Sequence, residues 1–305
     1  MRHPVLIHLH IPKNAGTSLS RAIKLRLLGR NPISWLRRSD VLGKYDVPGW
    51  ERRLEIINAS PTAASRVRFF EAHAGFGMHE KLPSPASYFT VLREPVDRAL
   101  SVYHYTGETG ERDAEETLDA FISRDRPIGR VWHIDNAQVR YLAATHGVID
   151  SRPANECDRA MLDLAIERLR TKIDHFIVQD RFDEGLLVLA NELGWSPIMY
   201  KRSNVTKVRR KADETDPGTI ARLREMNALD TELYSVAQEL FAEKADAYER
   251  DTGTGLAEAV RPYRDRLRAY AERSGPIYGM MASARKRRER ARGASERSAS
   301  KAVSA

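Results

Sequence analysis

A short apolar run, Val5-Leu6-Ile7-His8-Leu9-His10-Ile11, ends at Pro12 and gives way to a loop of small and polar residues, Lys13-Asn14-Ala15-Gly16-Thr17-Ser18. The run is brief and β-branched, which reads as a buried strand. Beyond the loop, Leu19, Ala22, Ile23, Arg26 and Leu27 recur at helical spacing, and Gly29 stands where a helix would end. In α/β proteins this order of strand, tight loop and helix offers an anion the outward-pointing amides of a helix N-terminus.

The rest of the chain repeats the alternation. Arg66 to Ala72 reads as a second strand running into His73, and Tyr88 to Leu92 as a third ending at Arg93. Pro95 then opens a helix with Val96, Leu100 and Tyr103 on one stripe. His175 to Gln179 reads as a fourth strand, followed by a helix from Phe182 to Leu193 that Gly194 stops. Strands alternating with helices imply a parallel sheet. The expected fold is therefore α/β, a P-loop-like three-layer arrangement of a central parallel sheet between helices. From Pro217 onward the apolar spacing is helical, so a helical C-terminal extension is expected. The expected organisation is a main domain over residues 1–250, a helical extension over 251–284 and a basic tail over 285–305.

With 305 residues, 42% of them hydrophobic, the chain can bury a core. No stretch approaches the roughly 18 consecutive apolar residues of a membrane span, and the N-terminal run is too short and His-interrupted for a signal peptide. A cytoplasmic protein is expected. Cys157 is the only cysteine, which excludes an internal disulfide and a cysteine-based zinc site. The net charge of +8 suggests an anionic partner, but the tail from Arg285 to Ala305 holds eight Lys/Arg against two Asp/Glu. That tail lacks the apolar residues that would order it, and it reads as a disordered segment that could meet anionic surfaces. Anion affinity in the body must come from a few placed groups.

The loop does the work of a Walker A sequence in a different spelling, with its lysine ahead of the glycine and no Gly-Lys-Ser/Thr. Small residues let amides approach an anion, Lys13 adds a mobile positive charge, and Thr17 and Ser18 bring hydroxyls to the helix start. No acidic cluster that would hold magnesium follows, which favours a donor needing no divalent ion over ATP. The plainer reading is an ordinary turn capped by Thr17 or Ser18.

Pro12-Lys13-x-x-Gly16-Thr17-Ser18 resembles the 5′-phosphosulfate loop of sulfotransferases that use 3′-phosphoadenosine 5′-phosphosulfate (PAPS). Leu92-Arg93-Glu94-Pro95-Val96-Asp97-Arg98-Ala99-Leu100-Ser101-Val102-Tyr103 is similar to the Arg-Asp-Pro-x-x-Arg-x-x-Ser-x-Tyr element that binds the donor's 3′-phosphate in that family. Ala72-His73-Ala74-Gly75-Phe76 and the run from Phe176 to Asp183 add a resemblance to PAPS-dependent sulfotransferase family 2, the heparan and dermatan sulfate 2-O-sulfotransferases and their bacterial relatives. Glu94 stands where that family commonly has Asp, and Gln179 where it has glycine. Its animal members carry a membrane anchor, whereas this chain begins almost at its first strand, so a bacterial-type form is expected.

The resemblance implies an enzyme that moves a sulfuryl group from PAPS to a hydroxyl, on a carbohydrate or another polyhydroxylated acceptor, without a metal. It places Lys13, Asn14, Ala15, Gly16, Thr17, Ser18, Arg93 and Ser101 on the donor, with Lys207, Arg209 and Arg210 of a late basic loop closing the 3′-phosphate, although a solvated basic run explains that loop equally well. His73 becomes the base for the acceptor hydroxyl, work that suits an imidazole of near-neutral pKa. Lys13 also neutralises charge on the leaving oxygen. Asn136, Gln138 and Arg140 fall on the acceptor side by the same likeness, although packing of Val139 and Leu142 with polar caps explains that segment equally well. His8 and His10 share a strand face without a third ligand at metal spacing. Two other classes compete: a nucleotide-dependent kinase, which would want an acid where His73 stands, and a non-enzymatic anion or nucleic-acid binder using the tail.

Overall fold

The computed structural model describes residues 4–28, 51, 54–55, 58–59, 67–82, 85–113, 115–123, 134–150, 152–201 and 215–274. Four strands form one sheet: β1 (Val5–Leu9), β2 (Phe69–Ala72), β3 (Ala86–Leu92) and β4 (His175–Val178). Their order is β2-β1-β3-β4, and every pairing is parallel, with Leu9 opposite Ala72 on one side and Thr90 on the other. A parallel sheet is covered on both faces, so all five residues of β1 are buried although only some are aliphatic.

The described helices are α1 (Gly16–Leu28), α2 (Pro95–Glu108), α3 (Leu118–Ser123), α4 (Ala137–Ala143), α5 (Arg159–Thr171), α6 (Phe182–Glu192), α7 (Pro217–Met226), α8 (Ala228–Thr252) and a last one, α9, over residues 256–274. Each strand predicted from sequence is present, β1, β3 and β4 within two residues of the expected length and β2 beginning only at Phe69, and the helix after β4 stops just before Gly194. The carboxylate of Glu94 accepts from the amides of Val96 and Asp97, so it caps α2 ahead of Pro95.

One core unites the sheet with α1, α5, α6 and α8, and Leu256, Val260, Tyr263 and Leu267 of α9 belong to it. Tyr263 Oη donates to the Ile198 carbonyl and Arg264 Nε to Asp183, 2.7 Å away, which ties α9 both to the segment after α6 and to the first turn of α6. A smaller core joins α2 to α3 and α7 through Leu100, Phe121, Ile122, Ile220 and Leu223. The tail over 285–305 lies outside the described residues.

The strand order fixes where a ligand can bind. The chain passes from β1 outward to β2, then returns across β1 to add β3 on the opposite side. Open α/β sheets bind ligands at such a reversal, beyond the C-terminal ends of the strands, where the following loops diverge and leave a crevice.

Candidate active site

Three predicted residues leave the sheet at that edge: Lys13 in the loop after β1, His73 after β2 and Arg93 after β3. Lys13 and Ala15 have φ of 70° and 64°, a left-handed conformation that costs a non-glycine residue energy. Alternating left-handed residues turn successive amides toward one point, which is how a backbone nest receives an anion. This loop leads directly into the N-terminus of α1. Lys13 Nζ lies 3.8 Å from the centre of the Tyr105 ring, a partly exposed aromatic on α2.

The loop is joined to the β3 end by named bonds. Arg93 Nη1 donates to the Lys13 carbonyl at 2.8 Å. Gln138 Oε1 accepts from Asn14 Nδ2 and from the Arg93 amide, both at 2.9 Å, while Gln138 Nε2 donates to the Arg93 carbonyl. Asn14 also donates to the Val91 carbonyl at 2.7 Å. One buried amide on α4 therefore holds the loop after β1 and the end of β3 in register. Replacing Gln138 by Leu strips three polar groups of this partner and is expected to cost about 2–3 kcal/mol, read as a fall in the denaturant midpoint at unchanged m-value. An unchanged midpoint would show that the amide carries no such load.

Gln138, Asn136 and Arg140 are all buried, and their side chains are engaged inside the protein. Arg140 binds the carboxylate and carbonyl of Asp135 and the carbonyls of Arg152 and Pro153. Asn136 accepts from the Asp230 amide and donates to Asp135, and it also lines a cavity of about 500 Å³ with Asn155, Cys157 and Arg222. Val139 and Leu142 pack in the core. The Asp230 carboxylate receives the amides of Gln138 and Val139, capping α4 from the distant helix α8. Burial raises the Asp230 carboxyl above its usual value, opposed by Arg98 and those two amides, and burial likewise lowers Arg98.

Arg93, ahead of α2, is 5% exposed and Ser101, within α2, 7% exposed, and Asp97 Oδ2 lies 3.7 Å from Arg93 Nη2. Lys207, Arg209 and Arg210 fall outside the described residues.

Sequence reasoning missed one cluster. His8 on β1 pairs in register with Glu71 on β2, and α1 brings Ser20 and Lys24 over both. Ser20 donates to Glu71 and its oxygen faces His8 Nδ1 at 2.7 Å. His10 Nδ1 lies 2.8 Å and Lys24 Nζ 2.6 Å from the Glu71 carboxylate. Burial alone would raise that carboxyl, but Lys24 and the two histidines hold it well below the usual carboxylate range. Glu71 supplies the third ligand type that His8 and His10 lack in sequence, since all three could face one ion. The Lys24 ammonium already neutralises the carboxylate there, and a dication would sit against it. A signal for this cluster existed: a charged residue inside the apolar run Phe69-Phe70-Glu71-Ala72 must find partners when the strand is buried.

A family model described as galactose-3-O-sulfotransferase matches residues 54–296, which include His73, Arg93 and Ser101 and begin after the Lys13 loop. The fold is also similar to the crystal structure of a sulfotransferase from Alicyclobacillus acidocaldarius, at 14% identity and a TM-score of 0.36 over 78% of this chain and 96% of that one. No curated protein matches the chain.

Proposed function

Since the chain belongs to the galactose-3-O-sulfotransferase family and is a transferase of the sulfotransferase type, we propose that it moves a sulfuryl group from PAPS to a carbohydrate hydroxyl. The observation that carries this reading is the junction at the sheet edge, where Arg93 donates to the Lys13 carbonyl and Gln138 bonds both Asn14 and Arg93. In this reading Lys13, Asn14, Ala15, Gly16, Thr17 and Ser18 receive the 5′-phosphosulfate, while Arg93 and Ser101, with Lys207, Arg209 and Arg210, receive the 3′-phosphate. The left-handed Lys13 and Ala15 and the α1 N-terminus fit a phosphate group, and no metal ligand enters the scheme.

His73 takes the proton of the acceptor hydroxyl as its oxygen bonds to sulfur, and the bond from sulfur to the bridging phosphate oxygen breaks in line. Lys13 faces the charge that develops on that oxygen, and adenosine 3′,5′-bisphosphate leaves. Fixed charges do most of this work because group transfer of this kind asks chiefly for positioning and charge stabilisation. Gln138 and Arg140 act as supports. The family description names a sugar position, and the motif likeness to the 2-O-sulfotransferases points to the same class of acceptor. No described helix is long and apolar enough to cross a membrane.

Adenosine 3′,5′-bisphosphate in EDTA is expected to raise Tm by about 4–8 °C at hundredfold excess over Kd, and Arg93→Ala should abolish the rise. Stabilisation by magnesium-ATP and not by the bisphosphate would overturn the proposal.

A further inference from the structure

The Glu71 cluster ends against the candidate base. The His8 and His10 rings stack at 4.6 Å, and the His10 ring meets His73 with centroids 4.6 Å apart at a tilt of 58°. His10 Nδ1 lies 2.8 Å from the Glu71 carboxylate on one edge of the ring, and Nε2, on the other edge, lies toward the start of α1. There the ring lies so close to Gly16 that a Cβ on that residue would fall 2.5 Å from Cδ2 and 2.6 Å from Nε2. Only glycine lets α1 begin against this imidazole. The His10 ring is thus held on one edge by Glu71, bears on the first residue of the phosphate-loop helix with the other, and touches His73.

We propose that Glu71 and His10 are positioning residues for the base: the carboxylate fixes the His10 ring, and that ring, wedged against Gly16, sets the place and the charge surroundings of His73. The proposal rests on the reading of His73 as base. It gives one reason for several costly features, namely two buried histidines, a buried carboxylate and a glycine at the helix start. The Glu71 charge supports the imidazolium that forms on His73 when it takes the acceptor's proton, and Lys24, paired with the carboxylate, limits that support. Among the described residues, the titratable and charged groups around the stack include His8 from β1, His10 just beyond it, Glu71 from β2 and Lys24 from α1. From the α4 side, Tyr141 and Ala144 close the turn after His73 through their contact with Gly75.

Opposite effects of two neighbouring substitutions test the idea. Titration of the His73 ring by NMR in the full chain, without donor or acceptor and assigned by loss of the signal in His73→Gln, is compared with Glu71→Gln and Lys24→Met. Removing the negative charge should lower the His73 pKa by about one unit, and removing the positive charge should raise it by a similar amount. The acidic limb of the kcat/KM profile should move the same way in each variant, because the base acts only when neutral. Shifts of one sign in both variants, or a falling Tm with an unmoved His73 titration, would reduce the cluster to a structural role and overturn the proposal. Should Glu71→Gln fail to fold, Lys24→Met alone still decides it through the upward shift. Opposite NMR shifts beside an unmoved rate limb would support the coupling and overturn His73 as base, so the two failures are distinguishable.

Discussion

Lys13→Ala is expected to lower kcat by about a thousandfold or more, with a smaller loss in affinity for adenosine 3′,5′-bisphosphate. In the proposed scheme several groups share the ground-state phosphate, including the loop amides and the α1 N-terminus, whereas the charge that appears on the bridging oxygen during transfer has Lys13 as its assigned cation. An interaction made mainly in the transition state costs kcat when removed, while one made equally in both states costs affinity. The backbone gives the comparison a clean control. Lys13 already sits at φ 70°, and Ala pays the same penalty there as Lys, so the substitution removes the ammonium without changing the strain of the loop. The ammonium rests over Tyr105 and not in the core, so stability should hardly change. Near-normal turnover with an unchanged circular dichroism spectrum would remove Lys13 from the chemistry.

His73→Ala is expected to lower kcat by about 10²–10⁴-fold and to flatten the acidic limb of the rate profile. The sign follows from the assigned role. A base must be unprotonated to accept the hydroxyl proton, so the wild-type rate rises as pH climbs through the pKa of His73, and a variant lacking the ring has no such rise from that group. Bisphosphate binding should survive, because the proposed donor contacts come from the segments after β1 and β3 while His73 follows β2. A retained acidic limb in the variant would assign the limb, and the base, to another group.

Much of the fold was legible in the chain because its signals are local. The alternation of brief β-branched runs with amphipathic segments, the Pro95 opening of α2 and the Gly194 stop after α6 each depend on residues within a turn or two of one another. The candidate donor segments were legible for the same reason: Lys13 to Ser18 and Arg93 to Ser101 each lie on one contiguous stretch. Glu71 was different. It stood in sequence as a charged residue in a strand, with nothing nearby to name Lys24, Ser20 or His10 as its partners, since those come from β1 and α1 some fifty residues earlier. Asn136, Gln138 and Arg140 show the converse. Their polar side chains suggested contact with a substrate, and burial turned them to capping and bridging within the protein.

By itself, then, the sequence determined the element order, the parallel α/β class and the residue types offered at the ends of the strands. Only the tertiary structure decided the strand order β2-β1-β3-β4, which brings the Lys13 loop against Arg93, and with it the burial that assigns each polar group its partner. The reason is physical. Periodicity and turn chemistry act over a few residues of chain, whereas a buried carboxylate or amide must be satisfied by whatever packing brings within about 3 Å, however far away it lies in the sequence.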